Sequence, residues 1–208
     1  MRPLSLEKLL NIRYRVFDFE GLWEKVFGQP EQSGIWILYG PEKNGKTWFA
    51  LKIAEYLSSF KKVLYISAEE GTAKTFTDAC KRAKVSTKSR NLKFTEYKPV
   101  DELESYLRRP HTPRIVFIDN MTVYGHEMNT VKLAKLTRDF PKVLFVFMAH
   151  EEKGEPLGAK GQMIKRLASV IIRIVGLTAF IGGRVPGGQI SIDEEKAMLY
   201  WGAPDNEE

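Results

Sequence analysis

Ile35-Trp36-Ile37-Leu38-Tyr39-Gly40-Pro41-Glu42-Lys43-Asn44-Gly45-Lys46-Thr47 passes from an apolar run through a glycine-bounded turn into a lysine and a hydroxyl residue. The stretch satisfies G-x-x-x-x-G-K-S/T between an apolar strand and an amphipathic helix, the context that gives this pattern its meaning. Glycines let backbone N–H groups converge on a phosphate, and a helix beginning near Gly45 adds unpaired donors and a positive dipole end. Lys46 is placed to reach β- and γ-phosphates, and the Thr47 hydroxyl to ligate Mg2+. An ordinary glycine turn has no reason to carry lysine and threonine directly after its second glycine.

Outward from this loop, short β-branched and aromatic runs alternate with longer amphipathic ones. Strands are expected at 35–39, 63–67, 92–97, 115–119, 143–149 and 170–175. Helices are expected over 47–58, 72–84, 100–108 and 130–138; the first carries Phe49, Ala50, Ile53, Ala54 and Leu57 on one face. Pro110 and Pro141 stop two of them. The alternation predicts an α/β fold, a mostly parallel central sheet with helices on both faces. Beyond Val175, Gly182, Gly183, Pro186, Gly187 and Gly188 mark turns, and 189–192 with 197–201 read as a C-terminal hairpin. The 208 residues suit one domain, 1–208, with a core of about 20–195 and a short N-terminal extension, 1–19.

With 43% hydrophobic and 28% charged residues the chain can bury a core, which excludes a disordered chain. The single cysteine, Cys80, forms no internal disulfide, and three scattered histidines make no zinc cluster. No apolar run approaches the length of a membrane helix, and Met1-Arg2-Pro3-Leu4-Ser5 begins no signal peptide. A cytoplasmic location is the expectation, with no membrane partner. The net charge of +6 suits a polyanion without requiring one.

Ligands of open α/β sheets bind beyond the carboxyl ends of the strands, so acids at strand ends matter. Ile115-Val116-Phe117-Ile118-Asp119 ends in an aspartate fit to hold Mg2+ through water. Val63 to Ser67 leads through Ala68 to Glu69 and Glu70. A carboxylate there can orient and deprotonate a water in line with the γ-phosphate. Glu69 is assigned this role, with Glu70 as the fallback, because period-two alternation turns only one of the pair inward.

These residues resemble the RecA superfamily over roughly residues 20 to 195. The loop from Leu38 to Thr47 is similar to the bacterial RecA phosphate loop, including its Pro41-Glu42 pair. Tyr65-Ile66-Ser67-Ala68-Glu69-Glu70 resembles the RecA and RadA strand whose first glutamate is the catalytic base, and Met148 to Val175 resembles a RadA and DnaB-like segment. The resemblance implies an ATP hydrolase using ATP and Mg2+, with His150 as a γ-phosphate sensor, or else a strand-end histidine without ligand contact. It also implies DNA contact by the loop at 151–162 and by the loop holding Tyr124, Gly125 and His126. Lys153, Lys160, Gly154, Gly158 and Gly161 suit the first loop as a flexible backbone-tracking element, while Glu151, Glu152 and Glu155 oppose it; Tyr124 is either a stacking or a buried tyrosine. Gly182-Gly183-Arg184 aligns loosely with a Lys-x-Arg element inserted into a neighbour's ATP site. Arg184 is then an arginine finger across a subunit interface or a turn arginine in solvent, and glycine stands where the family has lysine. Trp48 replaces a small hydroxyl residue and packs near adenine or fills the helix face.

Lys81, Arg82, Lys84, Lys88, Arg90 and Lys93 fall in an acid-free run, either a phosphate-binding patch or a solvated helix end. No helix-turn-helix or zinc finger precedes the core, so sequence-specific base readout is not expected. The size resembles core-only RecA-like proteins of phages and mobile elements. The leading expectation is a RecA-like ATPase that couples Mg2+-ATP turnover to single-stranded DNA in recombination, repair or replication, as a homo-oligomeric filament or ring with ATP between subunits. The alternative is a KaiC-like nucleotide-gated assembly or signalling ATPase without DNA coupling. A P-loop small-molecule kinase would need an arginine-rich lid and an acceptor pocket, and the sequence shows neither. Asp205 to Glu208 reads as a solvated end.

Overall fold

The apolar run Ile35 to Gly40 is buried at every position, which a strand achieves only when both faces of its sheet are covered. The computed structural model describes residues 3–125 and 127–202; His126 and the acidic end at 205–208 lie outside them. In chain order the strands are β1 (Gly34–Gly40), β2 (Val63–Ser67), β3 (Leu92–Glu96), β4 (Ile115–Asp119), β5 (Leu144–Glu152), β6 (Glu155–Pro156), β7 (Val170–Val175), β8 (Thr178–Gly183) and β9 (Gly188–Ser191). The helices are α1 (Leu6–Leu10), α2 (Gly21–Phe27), α3 (Lys46–Ser58), α4 (Lys74–Arg82), α5 (Val100–Leu107), α6 (Thr130–Asp139), α7 (Gly158–Leu167) and α8 (Glu194–Trp201). The sheet order is β3-β2-β4-β5-β1-β7-β8-β9, with β6 paired to β5. From β3 through β7 every pairing on that path is parallel; β8 and β9 close the far side antiparallel.

Alternate residues along β1 serve two cores, as a period of two requires. Trp36 and Leu38 pack with α3, α4 and the N-terminal aromatics Phe17, Phe19 and Phe27. Ile35, Ile37 and Tyr39 pack with α5, α6 and α7. Helices on both faces of a mostly parallel sheet are the architecture that the alternating pattern predicts. Within the parallel part, strand and helix limits fall within about three residues of the expected ones.

The C-terminal third differs. A hairpin is present, but it joins β8 to β9, and 197–201 lies in helix α8 instead of a strand. Asp193 caps that helix, its side chain accepting from the Lys196 N–H at 3.2 Å, with Glu194 and Glu195 in the first turn. Gly182 and Gly183 sit inside β8, where Gly183 passes so close to Ser169 that a Cβ would fall 2.6 Å from its carbonyl oxygen. Both lie in a strand instead of a turn, and the close approach accounts for Gly183 alone. The segment 151–162 is likewise not one open loop: β5 extends to Glu152, turns back as β6, and enters α7 at Gly158. Gly161 reads as a flexibility signal in sequence, yet it is buried where a Cβ would meet the Pro156 Cβ at 2.9 Å.

Candidate nucleotide site

The phosphate loop is fixed from below by its glycines. A Cβ on Gly40 would lie 2.1 Å from the Ile174 carbonyl oxygen of β7, so only glycine lets the two strands meet there. Gly45 is left-handed, with φ of 96°, and turns the chain into α3. The Phe49 N–H is bonded to the Gly45 carbonyl, so the amides of Lys46, Thr47 and Trp48 precede the helix's own ladder. Asn44 ties the loop sideways: its Oδ1 accepts from the Gly176 N–H at 2.7 Å. Lys46 Nζ donates to the Pro41 carbonyl at 2.7 Å, which holds the ammonium over the loop.

Strands β2, β4, β5 and β1 are neighbours in the sheet, so whatever ends them converges on one cleft. That cleft, of about 970 Å³, is lined by Lys46, Thr47, Glu69, Asp119 and His150 among others. Asp119 accepts from the Tyr65 hydroxyl at 2.8 Å. Glu69 Oε2 accepts from Asn120 Nδ2 at 3.1 Å and lies 3.7 Å from His150 Nε2. His150 Nδ1 is buried without a hydrogen-bond partner.

Burial raises Asp119 to about 7, with the negative charges of Glu69 and Glu70 adding to the rise and the Tyr65 hydroxyl and Lys46 opposing it. Burial also lowers Lys46, against the nearby carboxylates, of which Asp119 acts most strongly. A buried carboxylate that resists ionisation beside phosphate-binding amides is the environment a divalent cation relieves. The Gly40 approach, the free amides, Thr47 and Asp119 together fit a Mg2+-nucleotide: the loop and Lys46 would hold the phosphates, Thr47 and Asp119 the metal.

Trp48 lines the cleft, its ring flanked by Lys196 Nζ at 5.4 Å and Lys52 Nζ at 6.0 Å. Pro41, Glu42, Lys43, Asn44 and Gly45 form the loop itself. Glu70 also faces the cleft, so the first turn after β2 presents both glutamates. Arg184 lies elsewhere: its N–H donates to Ser169, and Ser169 to Ile35, at the amino-terminal edge of the sheet. It does not reach the cleft of its own chain. Tyr124 is buried against Tyr97, which decides the open choice for that residue against stacking.

Sequence reading missed Asn120, Tyr65 and Lys196. Asn120 directly follows a recognised acid, which is the one signal that could have found it; Tyr65 looks like any strand tyrosine, and Lys196 sits in helix α8, just ahead of the 197–201 stretch that reads as a strand in sequence. Arg82, singled out only as part of a basic run, also lines the cleft.

The structure is similar to flagellar accessory protein FlaH from Methanocaldococcus jannaschii, with a TM-score of 0.60 at 16% identity over 86% of this chain and 92% of that one. The fold is the RecA-like P-loop NTPase fold. A KaiC-like protein from Pyrococcus horikoshii shares this RecA-like fold with a TM-score of 0.57 at 16% identity, covering 86% and 93% of the two chains. The ATPase domain of the protein named G40P gives 0.55 at 14% identity over 80% and 84%. No family model matches the sequence, and no curated protein matches it significantly. Among the described residues no helix is long and apolar enough to cross a membrane.

Proposed function

We propose that the chain is a single-domain RecA-like ATPase that couples Mg2+-ATP binding and hydrolysis to binding of single-stranded DNA, acting as a homo-oligomer in recombination, repair or replication. The observation that carries the hydrolase reading is the meeting of Lys46, Thr47, Asp119 and Glu69 in one cleft at the carboxyl ends of four adjacent strands. Glu69 is the base: its carboxylate, oriented by Asn120, accepts the proton of the attacking water. Lys46 and the loop amides stabilise charge on the phosphates, and Mg2+ held by Thr47 and Asp119 would supply further neutralisation of the transferring group. His150, beside Glu69 with an unpartnered Nδ1, is positioned to report the state of the γ-phosphate to the β5–β6 hairpin. Arg184, out of reach of its own cleft, is assigned to a neighbour's.

The experiment is ATP hydrolysis with and without single-stranded DNA at low and moderate salt, beside Glu69→Gln. DNA stimulation lost in the variant supports the coupled reading. One observation favours the second reading, a KaiC-like nucleotide-gated assembly ATPase. The segment expected to track DNA is folded into a hairpin and helix, with Glu151 held by Arg173 in a two-pronged ion pair at 2.7 and 2.9 Å. Hydrolysis indifferent to DNA, with nucleotide-dependent oligomerisation, would select it.

A further inference from the structure

Parallel strands all begin at one edge of their sheet, so the segments leading into them gather their side chains along that edge. Segments 59–62, 83–91, 108–114 and 140–143 lead into β2, β3, β4 and β5, and together hold nine lysines and arginines and no aspartate or glutamate. These strands are neighbours in the order β3-β2-β4-β5. Arg90, Lys62, Arg114 and Lys142 therefore stand in a row about 15 Å long, three interstrand spacings. All four are exposed. Of the nine cations only Arg108 has an ion-pair partner among the described residues, in Glu104 and Asp139.

Complementing helix dipoles accounts for part of this, since α3, α4, α5 and α6 end at this edge. That effect fades within the last turn of a helix. Arg90, Arg114 and Lys142 sit beyond it, against the strand starts. At the flank of the row, a groove of about 620 Å³ runs between the edge strand β3 and α5, lined by Leu64, Leu103, Tyr106, Lys93 and Arg109. The Tyr106 residue is 39% exposed. Two acids also line this groove, but Asp101 is engaged by Lys132 at 3.3 Å and Glu102 by Lys98 at 3.8 Å. Arg109 belongs to both the groove and the basic edge, which makes them continuous.

We propose that this amino-terminal edge is a binding surface for the sugar–phosphate backbone of single-stranded nucleic acid, with unpaired bases turned toward Tyr106. The inference rests on the DNA-coupled reading above and relocates its contact, away from the glutamate-rich hairpin and to the end of the sheet opposite the nucleotide cleft. Unpaired cations in a row release counterions when phosphates replace them, and an adjacent exposed ring offers a sequence-tolerant stacking face. A lipid surface is a poorer match, because the larger apolar side chains in these segments, Phe60, Val85 and Phe140, are buried or half-buried.

The test is fluorescence anisotropy with a labelled oligothymidylate of about thirty nucleotides, a length that covers several site sizes, titrated at several salt concentrations. The proteins are wild type, Arg90→Ala/Arg114→Ala/Lys142→Ala, and Tyr106→Ala. The expected result for the triple variant is an affinity loss of about tenfold or more, and a salt slope shallower by about 2, from about 0.7 per phosphate contact. Tyr106→Ala should weaken binding about tenfold with its salt slope unchanged. Basal ATP hydrolysis should persist in both, since neither touches the cleft. Wild-type binding that both variants retain overturns this inference and leaves the DNA-coupled reading standing. No wild-type binding at low salt overturns both. Loss of phosphatidylserine-vesicle binding or of self-association in the triple variant, with oligonucleotide binding intact, assigns the edge to a membrane or to a second copy and overturns the inference.

Discussion

At the residue scale the proposed mechanism divides the cleft into a residue that holds and a residue that reacts. Lys46 holds, so Lys46→Ala should abolish Mg2+-ATP binding measured by titration calorimetry, and retained tight binding would sink the nucleotide assignment. Glu69 reacts, so Glu69→Gln should bind ATP normally and lose about 10²–10⁴-fold in turnover. Asn120→Ala removes the amide that donates to Glu69 and should slow turnover less than Glu69→Gln does. Asp119 gives a pH signature. Its folded value of about 7 lies above the ordinary 3.8, so the folded state binds the extra proton between those values. Stability of the nucleotide-free protein should therefore fall as pH rises from about 4 to about 7. Asp119→Asn should flatten that part of the profile in urea denaturation, and parallel profiles for the two proteins would remove the assignment.

At the scale of elements, β1 and β7 close at their carboxyl ends only because Gly40 has no side chain to meet the Ile174 carbonyl. Gly40→Ala forces a carbon into the Ile174 carbonyl and should destabilise the fold by about 3 kcal/mol or more, read from the denaturation midpoint. The parallel strands were legible because both of their faces are buried, leaving continuous apolar runs such as Ile115 to Ile118 bounded by polar residues. The phosphate loop was legible because glycine, lysine and threonine stand at a fixed spacing between a strand and a helix, although Gly40 also answers a contact remote in sequence. The C-terminal third was not. Gly161 and Gly183 serve close approaches, to Pro156 and to the Ser169 carbonyl, that only the folded chain brings about, and a local reading takes such glycines for flexible tracts or turns. The same limit hid Tyr65 and Lys196, whose roles come from register and from a helix docked on Trp48. Asp119 ends β4 and Glu69 stands two residues beyond β2, where ligand-facing groups of such sheets are expected, and the structure brings both to one cleft.

For the whole molecule, the assembly reading is testable through Arg184. Placed at the edge of the sheet away from its own cleft, it can act on ATP only in another copy. Hydrolysis per chain should fall on dilution, and Arg184→Ala should lose activity and recover part of it when mixed with Glu69→Gln. That mixture pairs an intact base in one chain with an intact arginine in the other. No recovery would return Arg184 to the solvent.

The phosphate loop is held on three sides, by the Ile174 carbonyl beneath Gly40, by the Asn44 bond to Gly176, and by the Lys46 bond to Pro41. A receptor already in its bound shape has little ordering to perform when its ligand arrives, beyond swinging one ammonium group. Nucleotide capture in stopped flow should then follow a single exponential whose rate climbs linearly with concentration, without the plateau that a slow rearrangement imposes.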